Sequence, residues 1–281
     1  MINRYIADIQ QKTNLSKQEA WWLLEHILQP ASMQSHGQRA LTQAQQQKLD
    51  EYIDQIALQH KPLAYVIGWV PFLDLRIEVQ PPILIPRPET EEWLDQLIQQ
   101  LIPKSSQIRR ILDVGTGSGV IALALAQKFP MAQITAIDIN PLALDLARKN
   151  AILSNIQNIQ LLESDLFSAL KEVQSFDLIV SNPPYIPRQA LSGMNPSVTH
   201  WEDHRALLAD QEGLSILHQI MAQSAQHLVF NADLPFQLVL EIDQTQHESI
   251  KKIAQSYDWN CKVTQDLFGN WRTAWCKYIQ S

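Results

Sequence analysis

"ILDVGTGSGVIALALA", residues 111–126, decides how this chain reads. The run Ile111–Val114 has the composition of a buried strand. Glycines at 115, 117 and 119 interrupt it, and "VIALALA" that follows reads as a short buried helix. Strand, glycine loop and helix in that order make a ligand-binding turn. Glycine lets a ligand approach the backbone closely, and the first turn of a helix offers N–H groups with no partner inside the helix. The spacing is GxGxG, whereas a dinucleotide fingerprint is GxGxxG, and Val120 stands where that pattern wants glycine.

Outward from this loop, strand and helix patterns alternate. Strands read at "RILDV", "QITAID", "IQLLES", "FDLIVS" and "FQLVLEI", with helical patterns between them. That alternation predicts an open, mostly parallel sheet with both faces covered, a doubly wound α/β fold. "CKVTQDL" and "RTAWCKYI" add two final strands, joined by a turn at Gly269–Asn270.

Residues 1 to about 60 carry no strand pattern and read as a small helical bundle. "SKQEAWWLLEHIL" opens with a capping box, Ser16 and Glu19. Trp22, Leu23, Ile27 and Leu28 fall broadly on one face. Of the pair Trp21–Trp22, one is expected in the core and the other half-covered. A second helix follows Thr42, with Leu49, Tyr52, Ile53 and Ile56 spaced three and four apart. "FLDLRIEV" at 72–79 then alternates apolar and polar residues, as a strand and hairpin connector would. "ILIPRPETEEWLDQLIQQLI" opens a helix with Pro88 at its first position and Glu89, Glu91 and Glu92 near its positive end. Arg87 and Thr90 either position a ligand or lid it, or they simply cap this helix. The expected division is a helical domain over 1–71, a connector over 72–90 and a ligand-binding domain over 91–281.

Composition narrows the function. The chain has 281 residues, 46% hydrophobic and 18% charged, which is globular composition. Acidic residues outnumber basic ones 29 to 22, so phosphate-backbone binding is not favoured as its main task. Cys261 and Cys276 form no CxxC pair and suit two thiols on neighbouring strands of a reduced protein, not a metal site or a disulfide framework. No apolar stretch is long enough to span a membrane, and "MINRYIADIQ" lacks the apolar core of a signal peptide. A cytoplasmic protein is expected.

Two carboxylates end the next strands. Asp138 closes "ITAID", nineteen residues after Gly119, where it can accept from both hydroxyls of a ribose. It can equally cap the helix "PLALDLARKN". Asp165, in "ESDLF", can accept from an adenine amino group, or again cap a turn.

"SNPPYI", 181–186, closes the fourth strand, because proline has no N–H for the ladder. In doubly wound sheets ligands lie where strand order reverses, between the first and fourth strands. Asn182 and the glycine loop therefore face one crevice. A planar nitrogen, in an amide or an aromatic amine, is a poor nucleophile with two N–H donors. The Asn182 side-chain oxygen and the Pro183 carbonyl can accept one each, and Tyr185 can stack on the planar group. Such fixing matters greatly in a two-substrate displacement.

Taken together, "DVGTGSG", Asp138 and Asp165 resemble the class I S-adenosylmethionine-dependent methyltransferases. That resemblance implies S-adenosyl-L-methionine as cofactor, no metal, and cofactor contacts from Asp113, Gly115, Thr116, Gly117, Ser118, Gly119, Asp138, Asp165, Leu166 and Asn182. Asp113 is expected near the methionine moiety or its water. "KPLAYVIGWVPFLDLRIEV", "LIPRPETEEWLDQLI", "SDLF", "IVSNPPYI", "LEI" at 240–242 and "DLFGNWR" are similar to the release-factor glutamine methyltransferases over almost the whole chain. The resemblance implies a Rossmann-like, seven-stranded methyltransferase sheet with a small N-terminal α-helical domain. It further implies methylation of the glutamine in the Gly-Gly-Gln tip of class I peptide chain release factors. Asn182, Pro183 and Tyr185 would be catalytic, and Asn182, Pro183, Pro184 and Tyr185 would hold the substrate. A monomer is expected, with no direct nucleic acid or membrane contact.

Two departures stand out. After "VTHWE" the family usually has proline, and here Asp203 follows; the loop 186–212 is expected to wall the acceptor side. A glycine pair before the fifth strand is replaced by "FNADLPFQ". Glu202 is left out of the catalytic set. The main alternative is an amino-methyltransferase for an exocyclic base amine, which predicts a basic groove and a target-recognition segment; neither is visible. A non-catalytic binding module is disfavoured because the glycines, both carboxylates and NPPY are intact.

Overall fold

A computed structural model describes residues 2–28, 40–170 and 175–279. The stretch 29–39 of the expected helical region lies outside the described residues. The chain forms two compact units. One is Met1–Trp69 with Asn195–Glu202, and the other is Val70–Met194 with Asp203–Ser281.

The first unit is helical: α1 (Ile2–Thr13), α2 (Lys17–Leu28), α3 (Gln43–Gln59) and α4 (Leu63–Ile67). Local chemistry sets its helix starts. Ser16 and Glu19 cap each other's backbone N–H groups at 3.2 and 2.8 Å, the expected box. Thr42 and Gln45 form a second box that opens α3. Ile6, Ile9, Leu23, Leu24, Ile27, Leu49, Ile53 and Ile56 bury their side chains together. Neither tryptophan of the pair is fully buried, although Trp22 packs against that core. Trp22 is half-buried, edge-on to Trp69 at 5.8 Å, and Trp21 is exposed, because Leu23 and Leu24 take the inward positions. Asn195–Glu202 joins this unit through Trp201, whose indole N–H donates to the Gln59 carbonyl at 2.9 Å and whose ring lies under Lys61.

The second unit begins with a hairpin, β1 (Trp69–Phe72) and β2 (Leu75–Glu78), then α5 (Pro88–Leu101). Glu91 of α5 accepts the Leu73 N–H of the hairpin turn at 2.7 Å. The alternating part follows: β3 (Arg110–Val114), α6 (Val120–Lys128), β4 (Gln133–Asp138), α7 (Pro141–Leu153), β5 (Ile159–Glu163) and β6 (Leu178–Ser181). The last elements are α8 (Ser215–Ser224), β7 (Leu238–Glu241), α9 (His247–Ser256), β8 (Trp259–Gln265) and β9 (Trp271–Tyr278). All seven expected strands join one sheet in the order β8-β9-β7-β6-β3-β4-β5. Strands β7, β6, β3, β4 and β5 run parallel, and β9 alone is reversed, antiparallel to both of its neighbours, β7 and β8. This is the Rossmann-like, seven-stranded arrangement expected from the sequence. Strand order reverses between β3 and β6, so those strands flank the crevice.

Register aligns the ends that matter. Val114 pairs with Ile137 on one side and with Ser181 on the other. The α6 run Val120–Ala126 is buried all round, as a helix between sheet and neighbours must be. Cys261 and Cys276 sit directly opposite on β8 and β9, with sulfurs 2.7 Å apart. The rebuilt turn before β7 works without glycine. Gln237 is buried and donates to the Val229 carbonyl at 2.7 Å, while the Lys277 ammonium donates to the carbonyls of Asn231 and Leu234. Among the described residues no helix is long and apolar enough to cross a membrane.

Candidate active site

A cavity of about 310 Å³ opens at the carboxyl ends of β3, β4 and β6. Its wall brings together Gly115, Gly117, Asp138, Asp165, Leu166, Asn182, Pro183 and Pro184, parts of four separate loops. Asp113, Thr116, Ser118 and Gly119 are buried behind that wall, and Tyr185 follows Pro184 half-buried.

The glycine loop divides its labour. Gly115 (φ +74°) and Gly117 (φ +55°) take left-handed conformations, and a Cβ on either would meet nothing within 4 Å. Those two positions leave room for a ligand. Gly119 (φ +86°) has a different reason: a Cβ there would lie 2.9 Å from the Ala147 Cβ. It lets α6 and α7 pack closely. Backbone N–H groups of Gly115 and Thr116 donate to the Ile137 carbonyl at 2.8 and 2.9 Å, tying the loop to β4. Asn150, fully buried on α7, donates to the carbonyls of Ser118 and Glu78 and so joins loop, helix and hairpin.

Asp138 faces the cavity and is not the cap of α7. Asn140 is that cap, accepting from the Leu142 N–H at 3.0 Å, with Pro141 first in the helix. The Asp138 oxygens accept one backbone N–H each, from Gly117 and from Asn140, both at 2.8 Å. Burial pushes its carboxyl above the ordinary carboxylate range, against those two bonds. Each oxygen keeps a lone pair for a further donor. Asp165 is exposed at the rim, beside Leu166, whose φ of +47° turns the chain into the wall.

Asp113 is fully buried under the loop. The Thr116 hydroxyl donates to Oδ2 at 2.6 Å, and Oδ1 has no hydrogen-bond partner among the described residues. Burial pushes this carboxyl up to about 7, opposed by the Thr116 bond and by the Ala122 backbone.

At the end of β6, the Ser181 hydroxyl donates to the Val114 carbonyl at 2.6 Å and pins the two flanking strands together. The next residue, Asn182, donates its carboxamide nitrogen to the Thr90 hydroxyl oxygen at 3.0 Å. Thr90 in turn donates to Glu241 Oε2 at 2.6 Å, where the Trp93 indole N–H also arrives at 2.8 Å. The Tyr185 hydroxyl donates to Glu241 Oε1 at 2.8 Å. Thr90 is therefore neither a lid nor a cap; it turns inward. Burial pushes the Glu241 carboxyl up, while these three donors and the Arg272 charge oppose the shift. Burial and the adjacent Glu241 hold the Tyr185 phenol well above its usual range.

Sequence reasoning missed Glu241, Trp93 and Ser181. The available signal was a glutamate closing the otherwise apolar strand in "FQLVLEI", since a buried carboxylate demands partners. At the rim, Asp203 and Arg205 also line the cavity. Arg205 pairs with the Asp203 carboxylate at 2.7 Å, and Asn140 donates to the same group at 3.3 Å.

Comparison with known proteins agrees with this architecture. Residues 2–68 match the PrmC N-terminal domain and residues 94–197 the methyltransferase small domain. A release factor glutamine methyltransferase of Streptococcus pneumoniae is 37% identical, over 83% of this chain and 80% of its own. Another, of Salmonella typhimurium, is 36% identical over 91% and 90%. Among solved structures, a methyltransferase from Pyrococcus furiosus is 19% identical with a TM-score of 0.50, covering 85% of this chain and 100% of that one. The N-terminal domain of human METTL16, solved with SAH, is 18% identical with a TM-score of 0.52, over 73% and 76%. Those two likenesses bear on the fold. The identities over nearly full length bear on the family: this chain belongs to the release factor glutamine methyltransferases.

Proposed function

We propose that the Asn182 crevice methylates the side-chain amide nitrogen of the glutamine in the Gly-Gly-Gln motif of class I peptide chain release factors. The enzyme is an S-adenosylmethionine-dependent protein-glutamine methyltransferase. The observation that carries the residue assignment is the polarity of Asn182: its NH₂ is taken by Thr90, which leaves Oδ1 as an acceptor at the cavity wall.

The wall fits the cofactor. Two glycines leave backbone room, Asp138 keeps acceptor capacity for ribose hydroxyls, and Asp165 stands at the rim for an adenine amino group. Leu166 and Ile137 supply apolar surface. Asp113, Thr116, Ser118 and Gly119 act one layer back by holding the loop. S-adenosyl-L-methionine supplies a methyl group on cationic sulfur, which leaves as a neutral thioether.

The chain's own residues then position the acceptor. Asn182 Oδ1 and the Pro183 carbonyl accept the two N–H groups of the glutamine amide and hold its nitrogen in one orientation. The nitrogen gains the methyl and releases one of its two protons to water. Pro183 presents no competing N–H, and Pro184 stiffens the turn. Tyr185 is assigned to stack on the amide plane, its ring set by the hydroxyl bond to Glu241. Positioning of this kind supplies much of the rate in a two-substrate displacement. The helical domain, 1–71 by its sequence pattern, grips the protein substrate, with the connector 72–90 leading into the methyltransferase domain 91–281. The chain works as a monomer in the cytoplasm without direct nucleic acid contact.

Incubating the purified protein with labelled S-adenosylmethionine and a class I release factor, then mapping the labelled peptide, tests this. The label is expected on the Gly-Gly-Gln glutamine. Label on added nucleic acid and none on the release factor would overturn it.

A further inference from the structure

We infer that Glu241 is a positioning residue which, through the Thr90 hydroxyl, fixes which way the Asn182 carboxamide points at the reacting nitrogen. This rests on the role proposed above for Asn182.

The argument is one of hydrogen-bond polarity. Glu241 closes β7 almost fully buried, and three donors converge on it from two other parts of the chain, α5 and the NPPY turn. An indole N–H can only donate, so the oxygen facing Trp93 must accept. Thr90 has one hydroxyl hydrogen, and it is spent on that same oxygen at 2.6 Å. Its own oxygen is then an acceptor toward Asn182, at 3.0 Å. Only the NH₂ side of the carboxamide can meet an acceptor. A reversed Asn182 would set two acceptors against each other with no proton between them. Oδ1 is therefore aimed away from Thr90, free to take an N–H of the substrate amide.

Simple folding does not call for this arrangement. A strand end in this core is filled more cheaply by an apolar side chain, because a buried carboxyl must be desolvated. Thr90 and Trp93 lie three apart on α5, hence on one face, and both turn to the same oxygen. The same glutamate holds Tyr185 from its other oxygen, so one buried group orients two residues of the NPPY turn.

The test compares four variants with the parent on the intact release factor. Thr90→Val keeps shape and removes the hydroxyl. It is expected to lower kcat about tenfold or more while KM for the release factor and cofactor affinity stay within about threefold. Thr90→Ser should recover most of that loss. Glu241→Ala should lose rate as Thr90→Val does. Glu241→Gln should recover most of it: the indole forces the glutamine carbonyl toward Trp93 and Thr90, and its NH₂ meets Tyr185, whose hydroxyl turns to accept. The ¹⁵N side-chain amide signal of Asn182, assigned by its disappearance in Asn182→Ala, should move in Thr90→Val and return in Thr90→Ser. Unchanged kcat and an unmoved signal in Thr90→Val would overturn the inference. So would Glu241→Gln as impaired as Glu241→Ala with a displaced pH–rate profile, which would make Glu241 a proton carrier. Asn182→Ala run alongside separates the two levels. If it keeps full rate, the reading of the site itself fails; if it loses rate while Thr90→Val does not, only the positioning role fails.

Discussion

Asp138 Oδ2 accepts the Gly117 N–H at 2.8 Å, so the acid that ends β4 and the glycine loop that follows β3 form one piece of wall. Its other oxygen holds the Asn140 N–H. Asp138→Ala is expected to weaken S-adenosylmethionine binding while the domain stays folded. Loss of charge-assisted bonds at about 1.5–3 kcal/mol each corresponds to roughly 10–100-fold in affinity. Asp138→Asn should be no milder than a few-fold better, since one of its two ends would present N–H to a backbone N–H. Calorimetry decides: unchanged affinity in a folded variant would mean the cofactor site is elsewhere.

Asn182→Ala should remove most turnover and leave cofactor affinity nearly unchanged, with a loss on the order of 10²–10³ in rate for one preorganised partner. Tyr185→Phe should keep more activity than Tyr185→Ala, because the ring remains. It should nonetheless lower stability by about 1–3 kcal/mol, since a buried Glu241 oxygen loses its donor. Steady-state kinetics and urea unfolding on the same preparations check both halves.

The Asp113 carboxyl gives a pH signature. Its folded-state pKa is about 7 against an ordinary 3.8, raised by burial. An acid raised in this way favours the folded state at low pH, and that contribution is lost as pH climbs from about 4 through about 7. Each pH unit in that window is worth about 1.4 kcal/mol. Asp113→Asn keeps the shape and cannot ionise. Its stability advantage over the parent should therefore grow between pH 5 and 7 and level off above about 7.5. Parallel stability curves for the two proteins would mean that Asp113 ionises as an ordinary carboxyl does.

Asp203 shows how a residue unlike the family's proline is accommodated. Its φ of −66° is one that proline also adopts. Yet its N–H donates to the Pro82 carbonyl at 2.7 Å, and its carboxylate caps the turn at Arg205 N–H and pairs with the Arg205 side chain. Asp203→Pro is thus expected to destabilise this protein by about 1–2 kcal/mol, the cap and one hydrogen bond outweighing the chain-entropy gain. Asp203→Ala should lose only the cap and the ion pair. Denaturant midpoints that do not move in either variant would show that these bonds contribute nothing.

The sequence by itself determined the order of elements, the strand–glycine–helix turn, the acids that end β4 and β5, and the proline stop after β6. Each is local. Side-chain period, capping boxes such as Ser16–Glu19, and the conformations open to glycine and proline are settled within a few residues along the chain. The resemblance of NPPY and its neighbours to a known family then named the chemistry. Tertiary structure alone decided which end of the Asn182 carboxamide is free, because Thr90 on α5 and Glu241 at the end of β7 stand 151 residues apart and meet only once that helix packs on the sheet. It alone divided the glycines into two that leave ligand space and one, Gly119, that lets two helices touch. It also buried Asp113 beneath the glycine loop, where the Thr116 hydroxyl reaches it. The physical reason is the same in each case: a buried polar group must find its partners wherever the packed sheet brings them, and distance along the chain carries no record of that.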